Sequence, residues 1–299
     1  MSGYKVYELA EVCSRLSSGK GIPASRISIE GEFPVYGGNG LRGYTDQANF
    51  AGDCAIIGRQ GAFCGNVRYF KGEAYMTEHA VVVCASPEHN TRYLSYLLST
   101  MNLGRLSGQS AQPGLSVKTL AKQEVKMPSL EIQNRVALVL ALLDEKIELN
   151  NTINENLQQQ AQTIFTNMFE MADVDLWKSG TLSDIAEITM GQSPSGNSYN
   201  EDGQGTVFFQ GRAEFGFRFP TVRLFTTEPK RMALKNDTLM SVRAPVGDLN
   251  IAHEDCCVGR GLAAIRSKDN HQSFVHYTMF SLQKELGQHR TNATIRIIQ

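Results

Sequence analysis

The chain has 299 residues, enough for two domains and a connector, and is 41% hydrophobic and 20% charged. No apolar run approaches the roughly 20 residues of a membrane span, and Met1-Ser2-Gly3-Tyr4-Lys5 opens without a signal-peptide core. A net charge of −1 excludes a uniformly basic nucleic-acid binder. Six cysteines without a C-x-x-C spacing predict neither a zinc site nor a disulfide framework, so a cytoplasmic protein is expected.

Residues 1–128 form a first domain, carrying 13 Lys and Arg against 10 Asp and Glu. Short strand-like runs cut by turn residues predict an α+β fold: Phe33-Pro34-Val35-Tyr36, Gly43-Tyr44-Thr45, Cys54-Ala55-Ile56-Ile57, Asn66 to Phe70, and the apolar run Ala80 to Cys84. Thr91 to Met101 reads as a helix with Tyr93, Leu94, Leu97 and Leu98 inward. A polar loop, Ser107 to Pro113, leads into a last strand, Gln123 to Met127.

Residues 129–170 predict one unbroken helix, with 2 basic against 6 acidic residues. Ser129 after Pro128 suits an N-cap, and Glu131 in the first turn suits the helix dipole. An apolar seam recurs at Ile132, Val136, Val139, Leu143, Ile147, Ile153, Leu157, Ile164 and Met168, with Asn150 as its polar member. Forty-two residues make a rod of roughly 60 Å. That length fits a spacer or one strand of a coiled coil, so the seam is expected to meet a partner helix.

Residues 171–299 repeat the plan of the first domain, with 14 basic and 14 acidic residues. Leu182-Ser183-Asp184-Ile185 answers Leu9-Ala10-Glu11-Val12. Asp237, Arg243, Asn250 and Ile251 answer Asp53, Arg59, Asn66 and Val67 at one constant offset, and Tyr277 answers Tyr96. An internal repeat outranks local propensity as an indication of fold. On this alignment the second copy stops before its last strand.

Catalytic patterns are incomplete. Gly38-Asn39-Gly40-Leu41-Arg42-Gly43 matches G-x-G-x-x-G, but no helix follows to receive a pyrophosphate, so a surface turn is expected. Cys64 and His79 lack a third residue to orient them as nucleophile and base. No catalytic residue and no metal ligand set is expected. What remains is recognition: Arg, Gln and Asn on Gly-flanked loops can bond base edges in the major groove. The expected DNA-binding residues are Lys20, Asn39, Arg42, Arg59, Gln60, Gln109 and Gln112 in the first domain, with Gln192, Gln210, Arg212 and Arg243 in the second. A solvated surface charge, or a salt bridge to a neighbour such as Asp53 or Asp237, is the structural alternative for Arg59 and Arg243.

The sequence resembles the specificity (S) subunits of type I restriction-modification systems. The residues that carry this are Leu9-Ala10-Glu11-Val12 with Gly19; Phe33-Pro34-Val35-Tyr36-Gly37-Gly38-Asn39-Gly40; Met127-Pro128-Ser129-Leu130-Glu131-Ile132-Gln133; Leu142-Leu143-Asp144-Glu145-Lys146-Ile147 and Phe165; and, in the second copy, Leu182 to Ile185 and Arg243-Ala244-Pro245-Val246-Gly247. The resemblance implies two target recognition domains, each reading half of a bipartite DNA sequence, joined by a coiled-coil-type spacer helix. It implies partner methylation (M) subunits with S-adenosylmethionine, restriction (R) subunits with ATP and Mg²⁺, and no cofactor or catalysis in this chain. The family pattern also has a closing strand and a second spacer helix after the second domain, which predicts that this chain is C-terminally truncated and pairs its rod with a second copy or with M subunits. Alternatives from other classes are a scaffold that binds no nucleic acid and a stand-alone methyltransferase.

Overall fold

A computed structural model describes residues 3–61, 63–107, 114–170, 179–288 and 296–298. The chain divides into two units, residues 1–151 and 152–299.

In the first unit, β1 (Lys5–Glu8) leads through a one-turn helix, Leu9–Val12, into β2 (Cys13–Ser18). There follow β3 (Phe33–Gly37), β4 (Gly40–Thr45), β5 (Phe50–Gly58), β6 (Val67–Met76), β7 (Ala80–Ala85), α1 (Thr91–Ser99), α2 (Val117–Ala121) and β8 (Glu124–Met127). Six strands form a sheet in the order β2-β7-β5-β6-β3-β4, while β1 and β8 make a separate antiparallel ribbon. The helices start where side chains satisfy their first N–H groups. Asn90 accepts from the Tyr93 amide at 2.8 Å, and Ser116 from the Thr119 amide at 3.0 Å. Strand alternation divides the core between two faces. Ala55 and Ile57 of β5 join Leu94, Leu98 and Leu120 on one; Cys54 and Ile56 join Phe50, Met76 and Val82 on the other.

The long helix α3 (Leu130–Phe165) continues as a π-helical turn to Glu170. Its first i→i−4 bond runs from Gln133 N to Ser129 O at 3.0 Å, placing Ser129 at the N-cap position. Against the first unit it turns a narrow stripe of Gln133, Ala137 and Ala141, each at most 6% exposed. The fully buried Gln133 carboxamide accepts from the Asn90 amide at 2.9 Å and donates to Pro128 O at 2.9 Å, with His89 Nδ1 3.1 Å away. The large apolar seam lies elsewhere: Ile132, Val136, Val139, Leu143, Ile147, Ile153, Leu157, Ile164 and Met168 are all exposed, as is Asn150. In the second unit, the helix end buries Phe165 beside Phe169, Phe274 and Tyr277, with ring centroids 5.1–6.1 Å apart.

The second unit contains β9 (Ser179–Thr181), α4 (Leu182–Ile185), β10 (Ala186–Met190), β11 (Tyr199–Asn200), β12 (Thr206–Phe209), β13 (Leu224–Thr226) and β14 (Met232–Ala233). It continues with β15 (Thr238–Ser241), β16 (Leu249–Ile251), β17 (Cys256–Val258), β18 (Leu262–Ser267), α5 (Gln272–Gln288) and β19 (Arg296–Ile298). The sheet orders are β10-β18-β15-β16 and β11-β13-β12-β17-β14.

Two expectations need correction. The closing strand of the second copy is present: β19 pairs antiparallel with β9, Arg296 opposite Thr181, as Glu124 opposes Glu8 in the first unit. The repeat register around Arg59 is also one residue off. Arg59 N donates to His79 O and Val242 N to Gly261 O, so Val242, not Arg243, is the counterpart of Arg59. On a strand, a one-residue slip reverses the face of every side chain.

Candidate nucleic-acid interface

In the first unit, four polar loops are stitched together by backbone bonds. Gly19 N and Lys20 N donate to Ala80 O and Met76 O at 3.0 and 2.9 Å. Thr77 N donates to Tyr36 O at 2.9 Å, and Arg59 N to His79 O at 3.0 Å. The contact is close enough to require glycine at two places. A Cβ on Gly19 would stand 2.0 Å from Met76 O, and one on Gly58 2.5 Å from Gly38 O. The G-x-G-x-x-G segment is the β3–β4 hairpin, with Gly40 at φ 105°.

The loops thus gather Lys20, Asn39, Arg42 and Gln60, all exposed. Arg42 lies against Gly37, and the Arg68 guanidinium lies against Gly40. Arg68 carries no signal in the sequence, since it sits within a strand run and its hairpin neighbour is invisible there. Arg59 is half-buried: Nε donates to Leu115 O at 3.2 Å, and Nη1 lies 3.5 Å from Ser18 Oγ. It braces the Leu115 segment and makes no pair with Asp53. Cys64 donates to Arg59 O at 3.3 Å, and burial raises its thiol above the ordinary range, so it is a packed, protonated side chain. Gln109 and Gln112 lie outside the described residues.

The second unit repeats the stitching. Gly191 N donates to Leu262 O and Gln192 N to Val258 O, both at 2.9 Å; Gly259 N donates to Phe209 O at 2.8 Å. Gln192 therefore occupies the place of Lys20, and Gly191 that of Gly19, where a Cβ would stand 2.1 Å from Gly259 O. Gln192, Gln210, Arg212, Arg243 and Arg260 are exposed. Arg212 is paired with Asp248. Asp237 is not the partner of Arg243: it holds Arg266, through Nε–Oδ1 and Nη2–Oδ2 bonds of 2.8 Å each. Among the described residues no group of three or more His, Cys, Asp or Glu is placed to hold a metal ion, and no helix is long and apolar enough to cross a membrane.

Such a surface presents Lys, Arg, Asn and Gln side chains on short loops tied together by backbone bonds, an arrangement suited to contacting an anionic polymer and its base edges. Comparison with known proteins points the same way. The family model of the type I restriction modification DNA specificity domain matches residues 1–159 and again 175–298. The specificity subunit of the type I restriction enzyme EcoprrI of Escherichia coli is 41% identical over 145 residues, covering 47% of this chain and 35% of that protein. The protein assigned as the MjaX specificity subunit of Methanocaldococcus jannaschii is 32% identical over 228 residues, covering 68% of this chain and 54% of the other. The chain thus spans about half or less of the length of these relatives. A crystal structure of a type I restriction-modification S subunit from M. genitalium shares the fold, with a TM-score of 0.64 at 18% identity over 95% of this chain and 78% of that one.

Proposed function

Because this chain belongs to the type I restriction-modification DNA specificity family, we propose that it is a non-catalytic subunit that reads a bipartite duplex DNA target, one half with each unit. The observation that carries this is the loop frame built twice: the bonds made by Lys20 and Thr77 recur at Gln192 and Gly259. The side chains on that frame differ, as two readers of different half-sites require. Lys20, Arg42 and Arg68 supply phosphate attraction, and Asn39, Gln60, Gln210 and Arg243 supply geometry for base edges. Adenine methylation and DNA cleavage belong to partner M and R subunits, which bring S-adenosylmethionine, ATP and Mg²⁺ in the cytoplasm; this chain binds no cofactor. The exposed seam of α3 is where a partner helix docks, from an M subunit or from a second copy of this chain.

Titration of the full chain with duplex DNA across a range of salt concentrations tests the reading. Neutralised phosphates release counterions, so log affinity should fall linearly with log salt. Affinity that is absent, or flat in salt, would favour a protein scaffold.

A further inference from the structure

The two loop frames align position by position through their backbone bonds. Lys20 matches Gln192, Thr77 matches Gly259, and the bond from Arg59 to His79 matches that from Val242 to Gly261. In each unit three loops close around one residue, the one flanked by the last two of these bonds. That residue is Glu78 in the first unit and Arg260 in the second. The same place carries opposite charge, and no motif in the sequence marks it.

Resting on the DNA-reading role above, we infer that Glu78 and Arg260 are central base-reading side chains of their units, Glu78 for a cytosine and Arg260 for a guanine. Arg260 is exposed, and its amide is held by Ser193 Oγ at 3.3 Å. The Glu78 side chain is 45% exposed, with Oε1 3.3 Å from His79 Nε2. Its Oε2 is shielded from solvent near Gly21 and has no hydrogen-bond partner. With Oε2 shielded, a donor from outside the chain has to reach Oε1, beside His79. On a face that also carries Lys20, Arg42 and Arg68, a carboxylate works against phosphate attraction, so its contribution has to be acceptance from a specific donor. Two major-groove edges offer an amino donor, cytosine N4 and adenine N6, and adenine sets the N7 acceptor beside it, so cytosine is the better match for a carboxylate. The arginine fork matches the two acceptors of guanine.

The test is selection from randomised duplex DNA by the full chain and by Glu78→Gln and Arg260→Gln. A carboxamide pairs with adenine. Each variant should therefore change the base identity at one position: cytosine to adenine in one block of the motif for Glu78→Gln, guanine to adenine in the other block for Arg260→Gln. Preference for the original base should fall about tenfold or more. Glu78→Asp and Arg260→Lys should keep the original base with weaker selectivity, a pattern that a purely structural role would not produce. Folded variants that select the unchanged motif would overturn the inference while leaving DNA reading intact. A wild-type chain that selects no motif would overturn both.

Discussion

Cys54 and Asp237 occupy the same place in the two units. Cys54 lies on β5 just before its pairing with β7 begins at Ala55–Val83, next to Cys84; Asp237 immediately precedes β15, whose pairing with β18 begins at Thr238–Ile265, next to Arg266. In the first unit the pair is two thiols; burial, then the neighbouring Cys84, pushes Cys54 up to about 12, so it stays neutral. In the second the pair is a two-bonded ion pair whose carboxylate is 3% exposed and also accepts from the Leu234 amide at 2.8 Å. The backbone frame does not dictate which chemistry fills this position. The difference lies in what happens when one partner is lost. A thiol leaves a small void; a buried ion leaves its partner uncompensated.

That contrast can be tested in order of expected effect. Asp237→Ala should cost about 3–4 kcal/mol in equilibrium unfolding of the second unit, the lower part of the buried-pair range because Arg266 reaches solvent. A loss no greater than that of Cys54→Ala would break the comparison. The second effect is acid sensitivity. The helix N-termini match, since Thr91 accepts from the Ala85 amide and Gln272 from the Ser267 amide, so buried His276 stands where buried Ser95 stands in the first unit. Burial, then the charge of Arg218, pushes the His276 imidazole down from 6.5 to about 4. The unfolded chain takes up this proton near 6.5 and the folded chain only near 4. Stability is therefore full above 6.5 and is lost as pH drops from 6.5 to 4, by about 3 kcal/mol in all. Chemical unfolding at stepped pH should show this slope in the second unit and lose it in His276→Gln.

Gln133→Ala should cost about 2 kcal/mol, because it strands the Asn90 amide and Pro128 carbonyl out of water. Cys54→Ala should cost about 1 kcal/mol by thermal melting, the value that sharpens the contrast with Asp237. The smallest stability effect belongs to Leu143→Asp, within about 0.5 kcal/mol, since the side chain is 53% exposed. Sedimentation should nonetheless show that this variant associates less, with copies of itself or with M subunits.

The strands and α1 were legible because Gly and Asn punctuate short apolar runs, and α3 because its periodicity is unbroken. The side of α3 that packs on its own unit was not legible. Periodicity reports that a stripe is apolar, not what covers it, and the Leu, Ile and Val seam carries a far stronger hydrophobic pattern than the Gln133–Ala137–Ala141 stripe. Small side chains permit close approach yet carry little hydrophobic signal. The polar loops are legible as loops, but their partners are not. Arg59 reads as a free donor until the fold brings Leu115 to it, and Arg243 reads as its counterpart until hydrogen bonds fix the register. Glu78 and Arg260 share no residue type, so no sequence comparison of the two copies could match them.

The β1–β8 ribbon has a consequence for inheritance. Lys5 opposes Met127, and the Leu9 amide donates to Gln123 O at 2.8 Å, so the chain leaves the ribbon and returns to it at neighbouring points. Everything between residues 9 and 123 hangs from that two-stranded stem as a cassette. A crossover between genes at its two ends would replace the whole insert while leaving the stem and the helix that follows it unbroken. New variants would then arise by exchange of intact folded blocks, with no need for residue-by-residue change.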